Sequence, residues 1–308
     1  MPSQGTSSNK RGFTLMELLV AMTITTIIVG VLVSITSIAM DSWNRSRSEL
    51  RAARQAKAMV DTMAHDLEAL ITRRGNSFEW LSAISATTLP GVNLTSTNAA
   101  EVIFFSGATD RYNGQIGVSG TDLGGDVSCV AYRLNYKDPI ITSGTFTTFV
   151  LNRLLVNPNE TFTNLLGKPD LTAAMAGYST RLDAVENFVC ENIYQFTLTF
   201  HVEATHVVGG TSTLVTVPVS IGQTSSGQTT TSLKIKGTGI ITPVTVSTVT
   251  PAELQAGRVT AVEIAVTVLS DFGIDQLRRR AFTDATQKAE FLAKNGYQYA
   301  KLVQVPGM

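Results

Sequence analysis

The longest uncharged apolar run of the chain lies close to its N-terminus and predicts a membrane-spanning helix. A polar leader ends in Lys10-Arg11-Gly12, Phe13 opens the run, and the 23 residues from Leu18 to Met40 carry no charge. As a helix they extend roughly 34 Å at ~1.5 Å per residue, enough to cross a hydrocarbon core of ~30 Å. Glu17 is the one carboxylate at the edge of this run. Because an unpaired carboxylate is unfavourable in lipid, we expect Glu17 to have a partner.

Charged residues return after Met40, and the apolar positions then follow a helical period. No Gly or Pro occurs from Asp41 to Arg74, and Gly75 is placed to end the helix. The pattern predicts one helix of roughly 60 residues whose second half buries an amphipathic face. The predicted buried stripe consists of Trp43, Leu50, Ala53, Val60, Met63, Leu67, Leu70 and Ile71.

Beyond residue 80 the pattern becomes typical of β-strands. Runs rich in Val, Ile, Thr, Phe and Tyr, several of them alternating, cover residues 101–106, 127–135, 146–154, 192–202 and 259–269. No strand–helix alternation with βαβ spacing separates them. We therefore predict an α+β fold: a long N-terminal α-helix packed on an antiparallel β-sheet head.

Two further segments of the head have a recognisable pattern. Residues 209–239 are rich in Thr, Ser and Gly and are consistent with a mobile loop or a long hairpin. We favour the hairpin, because two short alternating runs, 214–217 and 233–236, flank the polar middle. Residues 275–294 have apolar positions at helical spacing, which predicts a helix that ends at Gly296.

Composition argues against nucleic acid as a partner and leaves the state of the two cysteines open. The formal net charge is zero at a pI of about 6.8, so no basic field is present to attract nucleic acid. Cys129 and Cys190 form a possible disulfide if the head lies in an oxidising compartment. Each also lies in a strand-like apolar stretch, where two buried free thiols are the alternative.

The chain lacks sequence motifs for catalysis or cofactor binding, so we predict that it is not an enzyme and has no metal or cofactor. There is no G-x-S-x-G elbow, P-loop or dinucleotide fingerprint. The three histidines, His65, His201 and His206, do not have the spacing of a zinc site. Asp122 and Asp126 do not match an EF-hand loop, so we interpret them as a solvated turn. We interpret Arg278-Arg279-Arg280 as a solvated helix face.

The N-terminal block resembles the class III signal of type IV pilins and of type II secretion pseudopilins. Gly12, Phe13 and Glu17 match the residue before the cut, the new N-terminus and the fifth residue of the mature chain. The resemblance implies that prepilin peptidase, a membrane aspartyl enzyme, cleaves between Gly12 and Phe13 and N-methylates Phe13. A Sec signal peptide has a shorter apolar region of ~7–15 residues, and an ordinary single-span anchor would not explain these three residues together.

The resemblance also implies a domain layout and a location. The layout is a leader (1–12), a transmembrane and filament-core helix (13–40), an amphipathic helix (41–75) and a β-rich head (76–308) with the insert at 209–239. The protein would be a single-pass inner-membrane protein of bacteria, with a periplasmic head, that assembles into a periplasmic filament. Its implied partners are other pilin-like subunits, prepilin peptidase, the inner membrane and exported proteins. Glu17 of an incoming subunit would pair with the free Phe13 amine of a neighbour.

The head is most similar to the J-type minor pseudopilins of type II secretion, through residues 63–74, 130–134 with Asn152-Arg153, and 185–200. Prepilin-signal proteins encoded in clustered cassettes are a related resemblance. The resulting hypothesis is a minor pseudopilin, a structural subunit of a type II secretion pseudopilus or its tip. The alternatives are a minor type IV pilin for pilus assembly or DNA uptake, and a membrane-anchored binding module whose helix is only a tether.

Overall fold

The computed structural model describes two compact units, Met1–Arg47 and Ser48–Met308. The residues that it describes are 14–86, 98–107, 125–141, 144, 146–222, 231–244, 248–279, 282 and 284–306. Gly12, Phe13 and Asp122 therefore lie outside the described residues, as do Arg280 and the middle of the Thr/Ser/Gly-rich insert.

The predicted long helix is present as α1, Leu15–Glu68, 54 residues long. Its end differs from the prediction, because Gly75 does not terminate it. After Glu68 the backbone turns and joins the sheet: Leu70 forms a β-bridge with Ser106, and the Ile71 amide donates to the carbonyl of Phe105 at 2.8 Å. These hydrogen bonds to β2 replace the helical ones, so α1 ends seven residues before the glycine.

The buried stripe of α1 has a different phase from the one predicted at its N-terminal end. Trp43 is 71% exposed and Leu50 is 56% exposed, so neither belongs to the stripe. The sequence pattern missed the small residues that let the helix approach the sheet closely. In the described residues the buried positions are Ala52, Ala56, Met59, Val60, Met63, Ala64, Asp66 and Leu67.

The described residues of the head form two antiparallel sheets, which confirms the predicted α+β fold class. One sheet has the strand order β5-β4-β3-β2-β1-β8-β9 and the other has the order β11-β10-β6-β7. The first contains β1 (Glu79–Ala86), β2 (Asn98–Ser106), β3 (Ser128–Lys137), β4 (Thr148–Val156), β5 (Phe188–Glu191), β8 (Ser232–Lys236) and β9 (Gly239–Ile241). The second contains β6 (Ile193–Val208), β7 (Thr211–Ile221), β10 (Arg258–Leu269) and β11 (Gly296–Gln304).

The main core lies between the two sheets and includes the buried face of α1. The larger sheet contributes side chains such as Phe104 and Leu151, and the smaller sheet contributes Phe200 and Ile264. A second cluster, around Phe105 and Leu171, covers the opposite face of the larger sheet. Short helical turns build that cover: Pro158–Glu160, Thr161–Leu165, Leu171–Met175, Ala176–Tyr178, Ser179–Leu182 and Val185–Asn187.

The predicted hairpin within residues 209–239 is wrong. The two alternating runs form strands, but β7 pairs with β6 whereas β8 pairs with β1 and β9. The hairpin that does form joins β6 to β7 through Gly209 and Gly210. Their φ angles of 59° and 83° suit the two-residue turns that need φ > 0 at both positions.

The C-terminal helical segment consists of two helices where one was predicted. After α2 (Pro251–Ala256), the chain passes through β10 into α3 (Asp271–Arg279) and α4 (Ala285–Asn295). Gly296 follows α4, as predicted, but as the C-cap residue it has extended backbone and opens β11. A small apolar cluster that includes Leu269, Ile274, Phe282 and Phe291 joins these helices to the smaller sheet.

Candidate functional site

The first turn of α1 is closed by a reciprocal pair of hydrogen bonds between Thr14 and Glu17. The Glu17 amide donates to Thr14 Oγ1 at 3.2 Å, and the Thr14 amide donates to Glu17 Oε2 at 2.9 Å. The Thr14 hydroxyl also donates to Oε2 at 2.9 Å. This is the arrangement of a capping box, which satisfies two backbone donors that a helix N-terminus leaves free. Glu17 therefore caps the N-terminus of α1 through hydrogen bonds within its own chain.

The two oxygens of the Glu17 carboxylate are used unequally. Both contacts from Thr14 reach Oε2, and within the described part of the chain no hydrogen bond reaches Oε1. Gly12 and Phe13, the predicted cleavage and methylation residues, lie outside the described residues. The capping box thus holds the carboxylate at the N-terminal end of α1 through one of its two oxygens.

The apolar half of α1 exposes its side chains. Leu18, Ile27 and Ile38 are all more than half exposed, and so are most of the large apolar residues between Leu15 and Met40. The threonine hydroxyls of this segment are satisfied internally, since each donates to the carbonyl four residues earlier at 2.8–2.9 Å: Thr23, Thr25, Thr26 and Thr36. The helix is long and apolar enough to cross a membrane.

In the head, α1 is fixed by a buried charged network near its C-terminal end. Arg153 of β4 donates from Nε and from one terminal nitrogen to the two carboxylate oxygens of Asp66, each at 2.7 Å. The Tyr132 hydroxyl donates to the same carboxylate, and the Ser106 hydroxyl donates to the Asp66 carbonyl at 2.8 Å. Burial, followed by the charge of Asp66, raises the pKa of Tyr132 well above its usual value, so the phenol keeps its proton and donates it.

The possible disulfide between Cys129 and Cys190 is not formed, and both residues are buried free thiols. Cys129 of β3 is opposite Val156 of β4, whereas Cys190 of β5 is opposite Leu151 of the same strand. The two cysteines therefore lie on opposite sides of β4 and five positions apart along it. A disulfide needs Cα atoms within ~7 Å, and strands spaced ~4.8 Å apart already exceed that across β4.

The three histidines are distributed over α1 and β6. His65 lies on the exposed side of α1, His201 lies in β6, and His206 contacts Glu253 of α2 at 3.0 Å. Within the described residues no group of three His, Cys, Asp or Glu side chains has the geometry to hold a metal ion.

Glu253 fixes the outer part of the β6–β7 hairpin to α2. Its carboxylate accepts from the Thr250 amide at 2.7 Å and from the Val207 amide at 3.0 Å, as well as contacting His206. These hydrogen bonds, led by the one from the Thr250 amide, lower its pKa to about 2. An open groove of about 470 Å³ adjoins this contact, lined by Arg74, Glu203, Thr205, Leu214, Ala252, Glu253, Ala256, Gly257 and Arg258.

Sequence reasoning missed two of these arrangements. The Thr14–Glu17 box was detectable, because Thr followed three residues later by Glu ahead of an apolar run is a known helix-start signature. The Asp66 network was not detectable from sequence. By local pattern Asp66 is predicted to be solvated, and its partners Arg153 and Tyr132 are distant in sequence and reach it only through the folded sheet.

Comparison with protein families supports the interpretation of the N-terminal segment as a prepilin-type signal. The family model for the prokaryotic N-terminal methylation motif matches residues 7–33. No curated protein and no solved structure matches the chain. The motif, together with the long apolar helix, supports a type IV pilin-like or pseudopilin-like protein that is anchored in a membrane, processed by a prepilin peptidase and assembled with other pilin-like subunits.

Proposed function

We propose that this protein is a minor pseudopilin, a structural subunit of a type II secretion pseudopilus or of its tip. The observation that carries the proposal is the methylation motif at residues 7–33, which ends inside an apolar helix whose large side chains are mostly more than half exposed. Prepilin peptidase removes residues 1–12, and Phe13 becomes the methylated N-terminus. The uncleaved protein waits in the inner membrane with its head in the periplasm.

Assembly in this proposal depends on the Glu17 carboxylate. Once the leader is removed, the Phe13 amine carries a charge at the membrane surface. Oε2 of Glu17 is held by Thr14, and Oε1 accepts the amine of a neighbouring subunit. In a low-dielectric filament core an unpaired carboxylate or ammonium is strongly unfavourable, so this pairing sets the axial register between subunits.

The apolar segment of α1 then forms the filament core. Its exposed aliphatic side chains pack against the same segment of neighbouring subunits, and small residues such as Ala21, Thr25 and Gly30 allow close approach. The threonine hydroxyls need no new partners, because each is already bonded to its own helix. The β head stays at the outside of the filament.

The J-type pseudopilins remain our working hypothesis for the head. The stretches that resemble them contain Asp66, Tyr132 and Arg153, which meet in the buried network. The gene neighbourhood tests this assignment: nearby genes for a secretion ATPase, an outer-membrane secretin and other pilin-like proteins would support it. A neighbourhood with pilus-retraction or DNA-uptake genes in their place supports a minor type IV pilin.

N-terminal mass spectrometry of the protein from its native membrane tests the processing step. The expected mature chain begins with methylated Phe13, and the Gly12→Ala variant keeps its leader and migrates more slowly on a gel. A native chain that begins at Met1 overturns the proposal. Replacing residues 13–40 by an unrelated membrane span separates a subunit from a tethered binding module, because only a subunit loses its function in that exchange.

A further inference from the structure

The direction of α1 along the head shows which end of the head is nearest in sequence to the apolar segment of α1, which ends at Met40. At the start of this unit, Arg51 pairs with Glu191 at 2.7 Å, and Glu191 lies opposite Val150 of β4. Further along α1, Asp66 pairs with Arg153, three residues onward in β4. The helix and the strand therefore run in the same sense, and the Ser48 end of the head is the end at which β4 begins.

The β3–β4 turn lies at this same end and carries two exposed aliphatic side chains. Lys137 and Thr148 form the last pair of the β3–β4 ladder. Beyond that pair, Ile140 is 75% exposed and Ile141 is 59% exposed. These two isoleucines thus lie outside the ladder, at the end of the sheet where β4 begins.

The Asp138 carboxylate holds the backbone next to these side chains. One oxygen of the Asp138 carboxylate accepts from the amides of Ile140 and Ile141 at 2.9 and 3.0 Å, and the other accepts from the amide of Phe146 at 3.2 Å. The amides of these three residues are therefore satisfied by the Asp138 side chain, and Ile140 and Ile141 are more exposed than Phe146, which is 46% exposed. Adjacent exposed aliphatic side chains are stabilised when they leave water, and the headgroup region of a bilayer is an environment in which they can do so.

Chain connectivity brings a bilayer within reach of this turn. Only residues 41–47 separate Met40, the last residue of the apolar segment, from Ser48, the first residue of the head unit. Whatever the orientation of the two units, this short connection ties the Ser48 end of the head to the membrane that holds the apolar segment.

We propose that, before assembly, the β3–β4 turn inserts Ile140 and Ile141 into the headgroup region of that membrane. The inference rests on the membrane anchoring in the proposed function and adds a second contact to it. Extraction of the subunit into a filament then has to break this contact, and the head rests on the bilayer through a defined edge.

An introduced fluorophore tests the contact in the full chain. The Ile140→Cys variant is labelled with an environment-sensitive maleimide dye and reconstituted into vesicles of phosphatidylethanolamine and phosphatidylglycerol. The matched control is Val208→Cys, an equally aliphatic position that is 63% exposed at the tip of the β6–β7 hairpin. β6 starts near the Ser48 end, where Asn192 contacts Thr148, and its 16 residues place Val208 ~50 Å away at ~3.3 Å per residue.

The native cysteines do not interfere with the labelling. Cys129 and Cys190 are both buried, and burial raises the pKa of the Cys190 thiol to about 12 and that of Cys129 further still. The thiolate is the reactive form, so the folded wild-type chain is expected to take up no dye.

The expected result is a blue-shifted emission from position 140 that a quencher carried on the lipid reduces several-fold, with aqueous emission and no lipid quenching at position 208. Vesicle flotation is measured on the same samples. Protein that floats but shows aqueous emission at position 140 overturns this inference and leaves the anchor intact. A blue shift without lipid quenching indicates contact between copies and also overturns it. Protein that does not float overturns both the anchor and the inference.

Discussion

Arg153 and Asp66 form a double hydrogen bond between β4 and α1, with both N–O distances at 2.7 Å and both side chains at most 2% exposed. Both charged groups lose their hydration on burial, and the attraction between them offsets part of that cost. Such a pair is a weak source of net stability, but removing one partner leaves a buried uncompensated charge. The pair therefore specifies where α1 lies on the sheet.

We expect Asp66→Asn to destabilise the head by about 3–5 kcal/mol, because the buried Arg153 guanidinium then loses the charge of the carboxylate with which it forms its double hydrogen bond. Arg153→Met is expected to act in the same direction through Asp66. Urea unfolding of the detergent-solubilised chain, followed by the fluorescence of buried Trp80, measures the change.

The control for this prediction uses a second ion pair of the same helix. Asp61 pairs with Lys301 at 2.9 Å, but both side chains are at least 40% exposed. Water already solvates these charges, so Asp61→Asn is expected to leave the unfolding midpoint unchanged. Equal effects of the two substitutions would contradict the role assigned to burial.

The sequence predicted those elements whose apolar pattern decides their structure. The long helix follows from its apolar periodicity, and the strands at 98–106, 128–137, 148–156 and 258–269 follow from runs of β-branched and aromatic residues, most of whose side chains are buried. The start of the amphipathic segment of α1 was less predictable: Trp43 and Leu50 have the right spacing but are exposed, whereas Ala52 and Ala56 are buried by close packing.

Pairing between strands was not predictable from local pattern. β7 and β8 flank one polar segment and each alternates as a hairpin arm does, yet they belong to different sheets. Their partners are chosen by tertiary contacts, since Leu233 and Ile235 of β8 are covered by the same core as β1. At the candidate site the assembly role of Glu17 stays a prediction, and its capping of α1 was overlooked. The Asp66 network depends on residues up to 87 positions apart.

Gly222 occupies a position at the end of β7 that only glycine can fill. Its φ is +101°, and an added Cβ would lie 2.3 Å from the Ala99 amide nitrogen and 2.4 Å from the Phe196 carbonyl oxygen. Both are backbone atoms, one in β2 of the larger sheet and one in β6 of the smaller sheet, so neither can move aside independently. We expect Gly222→Ala to destabilise the chain by more than about 1 kcal/mol, whereas Gly177→Ala, where the added Cβ meets no atom within 4 Å, is neutral or stabilising by about 0.4–1 kcal/mol. Thermal unfolding of the two variants distinguishes these outcomes.

The Glu253 contact predicts a pH dependence with a defined sign. Hydrogen bonds from Thr250, His206 and Val207 lower its pKa from the usual 4.5 to about 2. A lowered folded-state pKa means that the stabilisation is complete above about pH 5 and is lost as the pH falls towards 2. We expect Glu253→Gln to lower the urea midpoint at pH 7, and the difference from wild type to shrink between pH 5 and pH 2. A difference that stays constant over this range would show that the carboxylate charge is not involved.

Glu17 has two roles in our account, and three variants separate them. Glu17→Gln keeps an oxygen that accepts from the Thr14 amide but loses the charge, Glu17→Ala loses both, and Thr14→Ala weakens the capping box while keeping the carboxylate. We expect both Glu17 variants to be cleaved normally and to assemble poorly, because neither can neutralise the Phe13 amine of a neighbour in the filament core. Thr14→Ala is expected to assemble close to normally.

Cross-linking of subunits in membranes, scored together with leader removal on the same gel, measures both steps. If Glu17→Gln assembles as well as wild type while Glu17→Ala and Thr14→Ala fail, the carboxylate acts as a helix cap and the charge-pairing step is wrong.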